Sequence, residues 1–408
     1  MRYTVIKDDK TLKGTIKLEG SKSITNRVII IKALCPDFFE INNFSLSEDS
    51  ETLIELINSD SQVLDCKDGG TTFRFLTSFL AIHEGEVTLT GSQRLQQRPI
   101  GPLVDALRSI GAEIDYLGNE GYPPILIRGK RLSGNRIEID ASLSSQFVSS
   151  LLLIAPLLKD GLVLKLKGEI ASRPYIQMTL NVMKHFGIHY DWTQSIIAIP
   201  HQDYVARRYN VESDWSAAAY YYSMAAMADE VDLKLMGLNR LSYQGDSVIQ
   251  NIMAQFGVNT SFIENGVHLT KSATTPRSYD YDFRDCPDLA QTILACCAGL
   301  NIPIKLRGID NLEIKESNRI EAMQNELKKL DLQLVPLGST WNLGINLHKP
   351  DVSNVVFDTY NDHRMAMALA PLALAYGRVG INDPAVVAKS YPMFWEDLKS
   401  IGFRLEHL

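Results

Sequence analysis

The chain has 408 residues, 45% hydrophobic and 22% charged, with 41 Lys and Arg against 48 Asp and Glu for a formal net charge of −7. Such a composition is ordinary for roughly two to three globular domains and excludes a disordered, collagen-like or coiled-coil chain. No apolar run reaches the ~20 residues of a membrane helix, and no basic run marks a nucleic-acid or membrane tail.

In chain order, six segments read alike: a polar start, a mostly apolar helix, then a short alternating strand. They begin near Ser21 (SKSITNRVIIIKALCPDFFEINN), Gly69 (GGTTFRFLTSFLAIHEGEVTLTG) and Ser144 (SSQFVSSLLLIAPLLKDGLVLKLKG). The others begin near Asp214 (DWSAAAYYYSMAAMADEVDLKLMG), Pro287 (PDLAQTILACCAGLNIPIKLRG) and Asn361 (NDHRMAMALAPLALAYGRVGIND). These helices are apolar on most faces and are expected to be buried.

Amphipathic helices are predicted to follow five of these strands, over Arg98 to Gly111, Pro174 to Gly187, Gln244 to Gly257, Asn318 to Asp331 and Lys389 to Gly402. A looser version over 50–59, followed by SQVLDC, serves the first repeat. Edge strands are predicted at AEIDY, IHYDW, VNTSF, LQLVP and FRLEHL. Six units of about 68 residues are too strand-rich for a helical solenoid. They predict an α/β (α+β) fold in two globular halves of three units each.

The unusual residues gather at the expected helix starts, where unpaired N–H groups and the helix dipole favour anions. The buried helices contribute Lys22, Ser23 and Arg27, Gly69-Gly70-Thr71, Ser144-Ser145-Gln146, Asp288, and His363-Arg364. The amphipathic ones contribute Arg98, Ser172-Arg173, Lys315-Glu316 with Arg319, and Lys389. Ser, Thr, Asp and Asn at such places are ordinary caps, and a lone Lys-Glu pair or His is ordinary structure. The cations are harder to dismiss: at a helix N-terminus each costs roughly 0.3–1 kcal/mol unless an anion shares the site. Lys22, Arg98, Arg364 and Lys389 together predict a cleft for small, multiply anionic molecules.

Competing motifs fail. Gly20-Ser21-Lys22-Ser23 does not complete G-x-x-x-x-G-K-[ST], and G-x-G-x-x-G, H-E-x-x-H and G-x-S-x-G are missing. The eight histidines have no metal-ligand spacing, so no metal is expected. The five cysteines (Cys35, Cys66, Cys286, Cys296, Cys297) contain no C-x-x-C pair and predict free thiols in a reducing cytoplasm. The opening MRYTVIKDDKTLKG does not read as a signal peptide.

In order along the chain stand G-S-K-S-I-T-N-R (Gly20–Arg27), G-G-T-x-x-R (Gly69–Arg74) and Q-R-P-I-G (Gln97–Gly101). Then come S-S-Q-F (Ser144–Phe147), S-R-P-Y (Ser172–Tyr175) and P-D (Pro287-Asp288). K-E-S-N-R (Lys315–Arg319), N-D-H-R-M (Asn361–Met365) and K-S-Y-P (Lys389–Pro392) complete the series. On these motifs the whole chain resembles the enolpyruvyl transferases, and within them the branch that acts on shikimate 3-phosphate.

The resemblance implies six βαβαββ-type units, three per domain, with the active site in an interdomain cleft. The first domain would comprise 1–20 and 213–408, and the second 21–212. It implies transfer of the enolpyruvyl group of phosphoenolpyruvate to the 5-hydroxyl of shikimate 3-phosphate by a cytoplasmic, monomeric enzyme without metal or organic cofactor. By position, Lys22, Ser23, Arg27, Ser144, Ser145, Gln146, Ser172, Tyr175, Asp288, Asn311 and Lys315 would hold shikimate 3-phosphate. Lys22, Gly70, Arg98, Gln146, Arg319, Arg364 and Lys389 would hold phosphoenolpyruvate. Asp288 is the candidate base for the hydroxyl, Glu316 the candidate for moving the C3 proton, and Lys22 a possible sharer of that role.

Four positions depart from the family pattern: Glu19, Asp68, Phe75 and Asn318. Asp68 puts a carboxylate beside the expected phosphoenolpyruvate site, which is tolerable where it points away or is paired. Gly70 implies competitive inhibition by glyphosate. The rivals are transfer to UDP-N-acetylglucosamine, disfavoured by Gln93 where that branch carries a reactive cysteine, and a non-catalytic anion-binding relative. Nucleic acid is disfavoured as a partner by the net charge.

Overall fold

Each repeat opens on a helix too apolar to face water. The structure, a computed structural model, describes residues 1–348, 350–351 and 355–407. In chain order its helices are α1 (Lys22–Leu34), α2 (Glu48–Ile57), α3 (Gly70–Ala81), α4 (Gly101–Ser109), α5 (Ser145–Ile154), α6 (Arg173–His185) and α7 (Trp215–Met227). They continue as α8 (Ile249–Ala254), α9 (Ala290–Leu300), α10 (Arg319–Lys328), α11 (His363–Leu369), α12 (Ala373–Tyr376) and α13 (Phe394–Ser400). The six apolar helices of the sequence are α1, α3, α5, α7, α9 and α11. In α7 every residue but Ser216 is buried, and in α5 every residue but Gln146.

The chain divides into two compact units, one of Met1–Gly20 with Glu212–Leu408 and one of Ser21–Val211. Glu212 groups with the outer unit, where Ser242, Gln244 and Asn239 donate to its carboxylate. Each unit has its own apolar core.

The repeat topology is clearest in the inserted unit. Strand Val63–Asp65 leads into α3 and pairs in parallel with Gly85–Thr90. After α4 come the antiparallel strands Glu113–Tyr116 and Ile125–Gly129, the latter also pairing with Gly85–Thr90. Around α5 the same order appears with Arg136–Asp140, Leu162–Lys167, Asp191–Thr193 and Ile196–Ile199. This is the βαβαββ unit that the resemblance implies. The alternation of burial along Leu162–Lys167 (Leu in, Lys out) shows why these strands lie with one face on a helix.

In the outer unit, Tyr279–Asp282 and Ile304–Arg307 flank α9 in parallel, and Val356–Phe357 and Arg378–Asn382 flank α11. The N-terminal strand Arg2–Ile6 completes that last sheet, antiparallel to both Arg378–Asn382 and Arg404–His407.

At the point of insertion the strands are exchanged. Thr11–Lys17, which precedes α1 in the chain, pairs in parallel with Glu230–Met236 after α7. Tyr209–Asn210, which precedes α7, pairs in parallel with Ile41–Asn42 after α1.

Three helix starts differ from expectation: the stretch predicted as a helix from Gln244 opens as a 3-10 turn (Gly245–Val248) and becomes α8 only at Ile249. Arg98 is extended, three residues before α4, because the following Pro99 disfavours helical backbone at the residue ahead of it. Lys389 ends a 3-10 turn (Pro384–Lys389), and α13 begins only after Pro392, at Phe394. The strand predicted at IHYDW begins late, at Asp191. The predicted stops hold: Gly111, Gly187, Gly257, Asp331 and Gly402 all have positive φ, the left-handed turn that ends a helix.

Candidate active site

In the inserted unit, α1 starts with Lys22, whose Nζ donates to Asp49 Oδ2 of α2 at 2.8 Å. The backbone carbonyl of Asp49 accepts from Thr72 Oγ1, which ties α2 to the first turn of α3. There Gly70 leaves room for two guanidinium groups. A Cβ added to it would lie 2.6 Å from Arg98 Nη1 and 2.8 Å from Arg74 Nη1. Arg74 Nη1 donates to Gln146 Oε1 at 2.6 Å, and Gln146 Nε2 donates to Thr71 Oγ1 at 3.1 Å. Gly70, Arg98 and Gln146 are therefore brought together, with Arg74 as a fourth member.

Ser144 caps α5 by accepting from Gln146 N, and Ser145 follows it, buried. Ser172 caps α6 with a left-handed backbone (φ 54°), and its carbonyl accepts from Tyr175 N. A non-glycine residue held there is strained by the order of 1 kcal/mol, a feature concentrated at functional sites.

Arg27 is held in place from several sides. It is buried, and Nε donates to Thr179 Oγ1, Nη1 to the Ser23 carbonyl, and Nη2 to Ser149 Oγ and the Tyr175 carbonyl. Burial pushes its pKa down to about 10. Its role in the fold is to fix the backbones of Ser23 and Tyr175 while Phe75 packs against its guanidinium.

In the outer unit the groups converge on Asp288, in the turn before α9. Oδ1 accepts from Arg319 Nη1 at 3.2 Å, and Oδ2 from Arg364 Nη2 at 2.7 Å. Burial works to raise this carboxyl, but Arg364, Lys315 and Arg319 outweigh both burial and the charge of Glu316, holding it well below the usual carboxylate range. Arg319 also donates through Nη2 to Glu316 Oε2 at 2.9 Å and through Nε to Asp362 Oδ2 at 2.8 Å. Burial would lower its pKa, but Asp362, Glu316 and Asp288 raise it. Lys389 Nζ lies 3.9 Å from Glu316 Oε1. Asp362, fully buried, caps α11 by accepting from Arg364 N.

Asn311 stands in a 3-10 turn (Asp310–Ile314) with its Oδ1 buried and without a hydrogen-bond partner among the described residues. Lys315 follows in extended backbone, and His363 is buried at the start of α11.

Sequence reasoning missed several members of these groups. Asp362 and Arg74 sit inside quoted motifs but had no role there. Tyr220, whose hydroxyl burial pushes up to about 12, meets Arg364 Nη1 at 3.4 Å and lies in an unremarkable apolar helix. Asp49 gave no signal beyond the acidic first turn of α2. Asp246, buried, accepts from Ser216 Oγ at 2.5 Å; burial, with the charge of Asp288, pushes it up to about 7.

A family profile for EPSP synthase (3-phosphoshikimate 1-carboxyvinyltransferase) matches residues 6–59 and 51–398. The chain belongs to the EPSP synthase family. A 3-phosphoshikimate 1-carboxyvinyltransferase of Bacteroides fragilis (strain YCH46) is 45% identical over 408 residues, covering 100% of this chain and 99% of that protein. One of Colwellia psychrerythraea is 34% identical across 96% of this chain and 97% of its own length. Among solved structures, the EPSP synthase from Acinetobacter baumannii matches with a TM-score of 0.77 at 20% identity, covering 100% of both chains. The enolpyruvyl transferase NikO from Streptomyces tendae matches with a TM-score of 0.76 at 16% identity, covering 100% of this chain and 99% of its own. At those identities the structures speak for the fold.

As a member of the EPSP synthase family the chain is an enzyme, a transferase. Two of its departures from the family pattern, Asp68 and Asn318, are accommodated locally. Asp68 accepts a short hydrogen bond from Ser92 Oγ, so its charge is engaged. Asn318 caps α10 by accepting from Glu321 N, as an Asp would. The Glu19 carbonyl accepts from Asp214 N. Among the described residues no helix is long and apolar enough to cross a membrane.

Proposed function

We propose that this EPSP synthase family member transfers the enolpyruvyl group of phosphoenolpyruvate to the 5-hydroxyl of shikimate 3-phosphate, releasing phosphate and giving 5-enolpyruvylshikimate 3-phosphate. One observation carries the reading: Asp288 is held between Arg319 and Arg364 while Glu316 shares Arg319, so two carboxylates for proton work sit among cations for anionic substrates. Each substrate brings a phosphate and a carboxylate, which Arg can grip in a bidentate fork.

The reaction is an addition followed by an elimination. The 5-hydroxyl oxygen bonds to C2 of phosphoenolpyruvate and its proton passes to Asp288, while C3 gains a proton through Glu316 with Lys22 sharing the role. The tetrahedral adduct then loses that C3 proton and expels phosphate, with Arg98 and Lys389 assigned to the departing group. A carboxylate held as low as Asp288 is a weak base. Arg364 and Arg319 are assigned to the carboxylate of phosphoenolpyruvate, and in turning to it they release Asp288 and restore its basicity. The charge that develops at C2 and on the leaving oxygen is met by fixed cations, which supply much of the remaining acceleration.

Lys22, Ser23, Arg27, Ser144, Ser145, Gln146, Ser172, Tyr175, Asn311 and Lys315 are assigned to shikimate 3-phosphate, with Arg27 also fixing the backbones of Ser23 and Tyr175. The unsatisfied Oδ1 of Asn311 is a ready acceptor for a ring hydroxyl. Gly70, Arg98, Gln146, Arg319, Arg364 and Lys389 are assigned to phosphoenolpyruvate. The enzyme works as a cytoplasmic monomer, and glyphosate competes with phosphoenolpyruvate.

The test is phosphate release from phosphoenolpyruvate with shikimate 3-phosphate or UDP-N-acetylglucosamine as acceptor. Release dependent on the former and lost in Asp288→Ala and Glu316→Ala is expected. Release with UDP-N-acetylglucosamine alone moves the chain to the rival branch, and none with either acceptor favours a non-catalytic anion binder.

A further inference from the structure

Helices α1 and α2 meet near their starts through Lys22 and Asp49, and toward their ends they line a cavity of about 470 Å³. One face of α1 contributes Ile29, Lys32 and Ala33, one face of α2 contributes Ile54, Ile57 and Asn58, and Ile41 and Phe44 complete the lining. The volume is that of a small-molecule site, and the walls are apolar. Phe44 and Ile54 stand open to water at 41% and 36% exposure, an arrangement a folded chain gains by covering. Lys32 is the one charged residue of the lining. It is half-buried, it has no carboxylate or hydrogen-bond partner among the described residues, and its Nζ rests 4.5 Å above the ring of the exposed Phe38.

We propose that this cavity is a binding site for a small amphipathic monoanion, an aromatic or branched carboxylate whose ring fills the apolar space and whose carboxylate meets Lys32. The single cation sets the charge of the ligand: a phosphate dianion would leave one charge uncompensated against apolar walls, and an uncharged ring would leave Lys32 as it stands. The site is separate from the one assigned above, since Lys32 lies about 15 Å along α1 from Lys22 at the usual rise per residue. It shares both helices with that site but none of its assigned residues. Binding does not depend on the proposed reaction.

The experiment is calorimetric titration of the full chain with 3-phenylpropionate, in the presence of phosphoenolpyruvate and inorganic phosphate to occupy the cationic groups elsewhere. Saturable one-to-one binding is expected, weakened about tenfold by removing the charge pair, either with 3-phenylpropionamide as probe or in Lys32→Met. Ala33→Phe, which fills the cavity, is expected to abolish it. Absence of saturable binding at millimolar probe, or binding undiminished in Lys32→Met and with the amide, overturns the proposal. Binding that phosphoenolpyruvate and phosphate displace does so as well. Circular dichroism of both variants shows that they fold, and should Ala33→Phe fail to, the Lys32→Met and amide comparisons decide alone. Failure of the proposed reaction would appear as no phosphate release in the unliganded wild type, a readout independent of these heats.

Discussion

The Cβ that Gly70 lacks would stand 2.6 Å from Nη1 of Arg98, closer than nonbonded atoms approach, so the position of that guanidinium depends on an absent side chain. Because the clash is with the far end of a flexible side chain, substitution displaces the arginine rather than unfolding the unit. Gly70→Ala is expected to raise KM for phosphoenolpyruvate about tenfold or more and to weaken glyphosate inhibition, with a smaller change in kcat. Steady-state kinetics with each substrate varied check it; an unchanged KM would mean that Arg98 does not hold this substrate.

Asp288→Asn keeps the shape of the side chain and removes its charge. Loss of a general base is expected to lower kcat by about 10²–10⁴. The carboxyl is held below its unfolded value, so its ionisation stabilises the fold above the unfolded pKa, and that contribution fades as pH falls through the folded one. The variant should therefore be about 1–2 kcal/mol less stable than wild type at neutral pH, and the gap should begin to narrow only below the usual carboxylate range, closing as pH falls through the lowered folded pKa. Urea unfolding across pH reads the convergence.

Asp246 has the opposite sign. With its carboxyl pushed up to about 7, the folded state favours the protonated form, so its stabilisation is complete below the unfolded pKa and is lost as pH rises toward 7. Asp246→Asn keeps an acceptor for Ser216 Oγ and removes the titration. It is expected to be ~1–3 kcal/mol more stable than wild type at pH 8, with little difference near pH 4. Thermal melts at the two pH values suffice, and a difference independent of pH would contradict the assignment.

Ser172 carries both strain and a substrate role in the proposed reaction. Ser172→Gly accepts φ 54° freely but gains freedom in the unfolded chain, so stability is expected to stay equal or to rise by up to ~1 kcal/mol. The KM for shikimate 3-phosphate should rise several-fold. A variant that is clearly less stable would show that the hydroxyl, not the backbone turn, holds the start of α6.

The six buried helices were legible because burial on every face leaves a continuous apolar run, as in α5 and α7. The repeating strands were legible through alternation, as in Leu162–Lys167. The motif residues Asp288, Glu316, Arg319 and Arg364 were legible as a set, and the structure brings those four together. The protein partners of Arg27 were not legible, because Thr179 and Ser149 lie 152 and 122 residues away and nothing local announces them. Lys22 showed its charge but not its partner Asp49, which sits on a helix that reads as ordinary amphipathic surface. The starts of α4 and α13 were placed early because one fixed length was counted back from each helix stop, where Pro99 and Pro392 should have been followed.

The exchanged strands impose an order on synthesis. Ile41–Asn42 gains its parallel partner as soon as Tyr209–Asn210 emerges, so the inserted unit can close while the rest of the chain is still being made. Thr11–Lys17, made among the first residues, waits for Glu230–Met236, some 10 to 40 seconds later at ordinary ribosomal speeds. For that interval the nascent chain carries a strand with free edges at its tip. That strand has lysine at both Lys13 and Lys17, exposed charges of the kind that keep an unpaired edge from finding another chain.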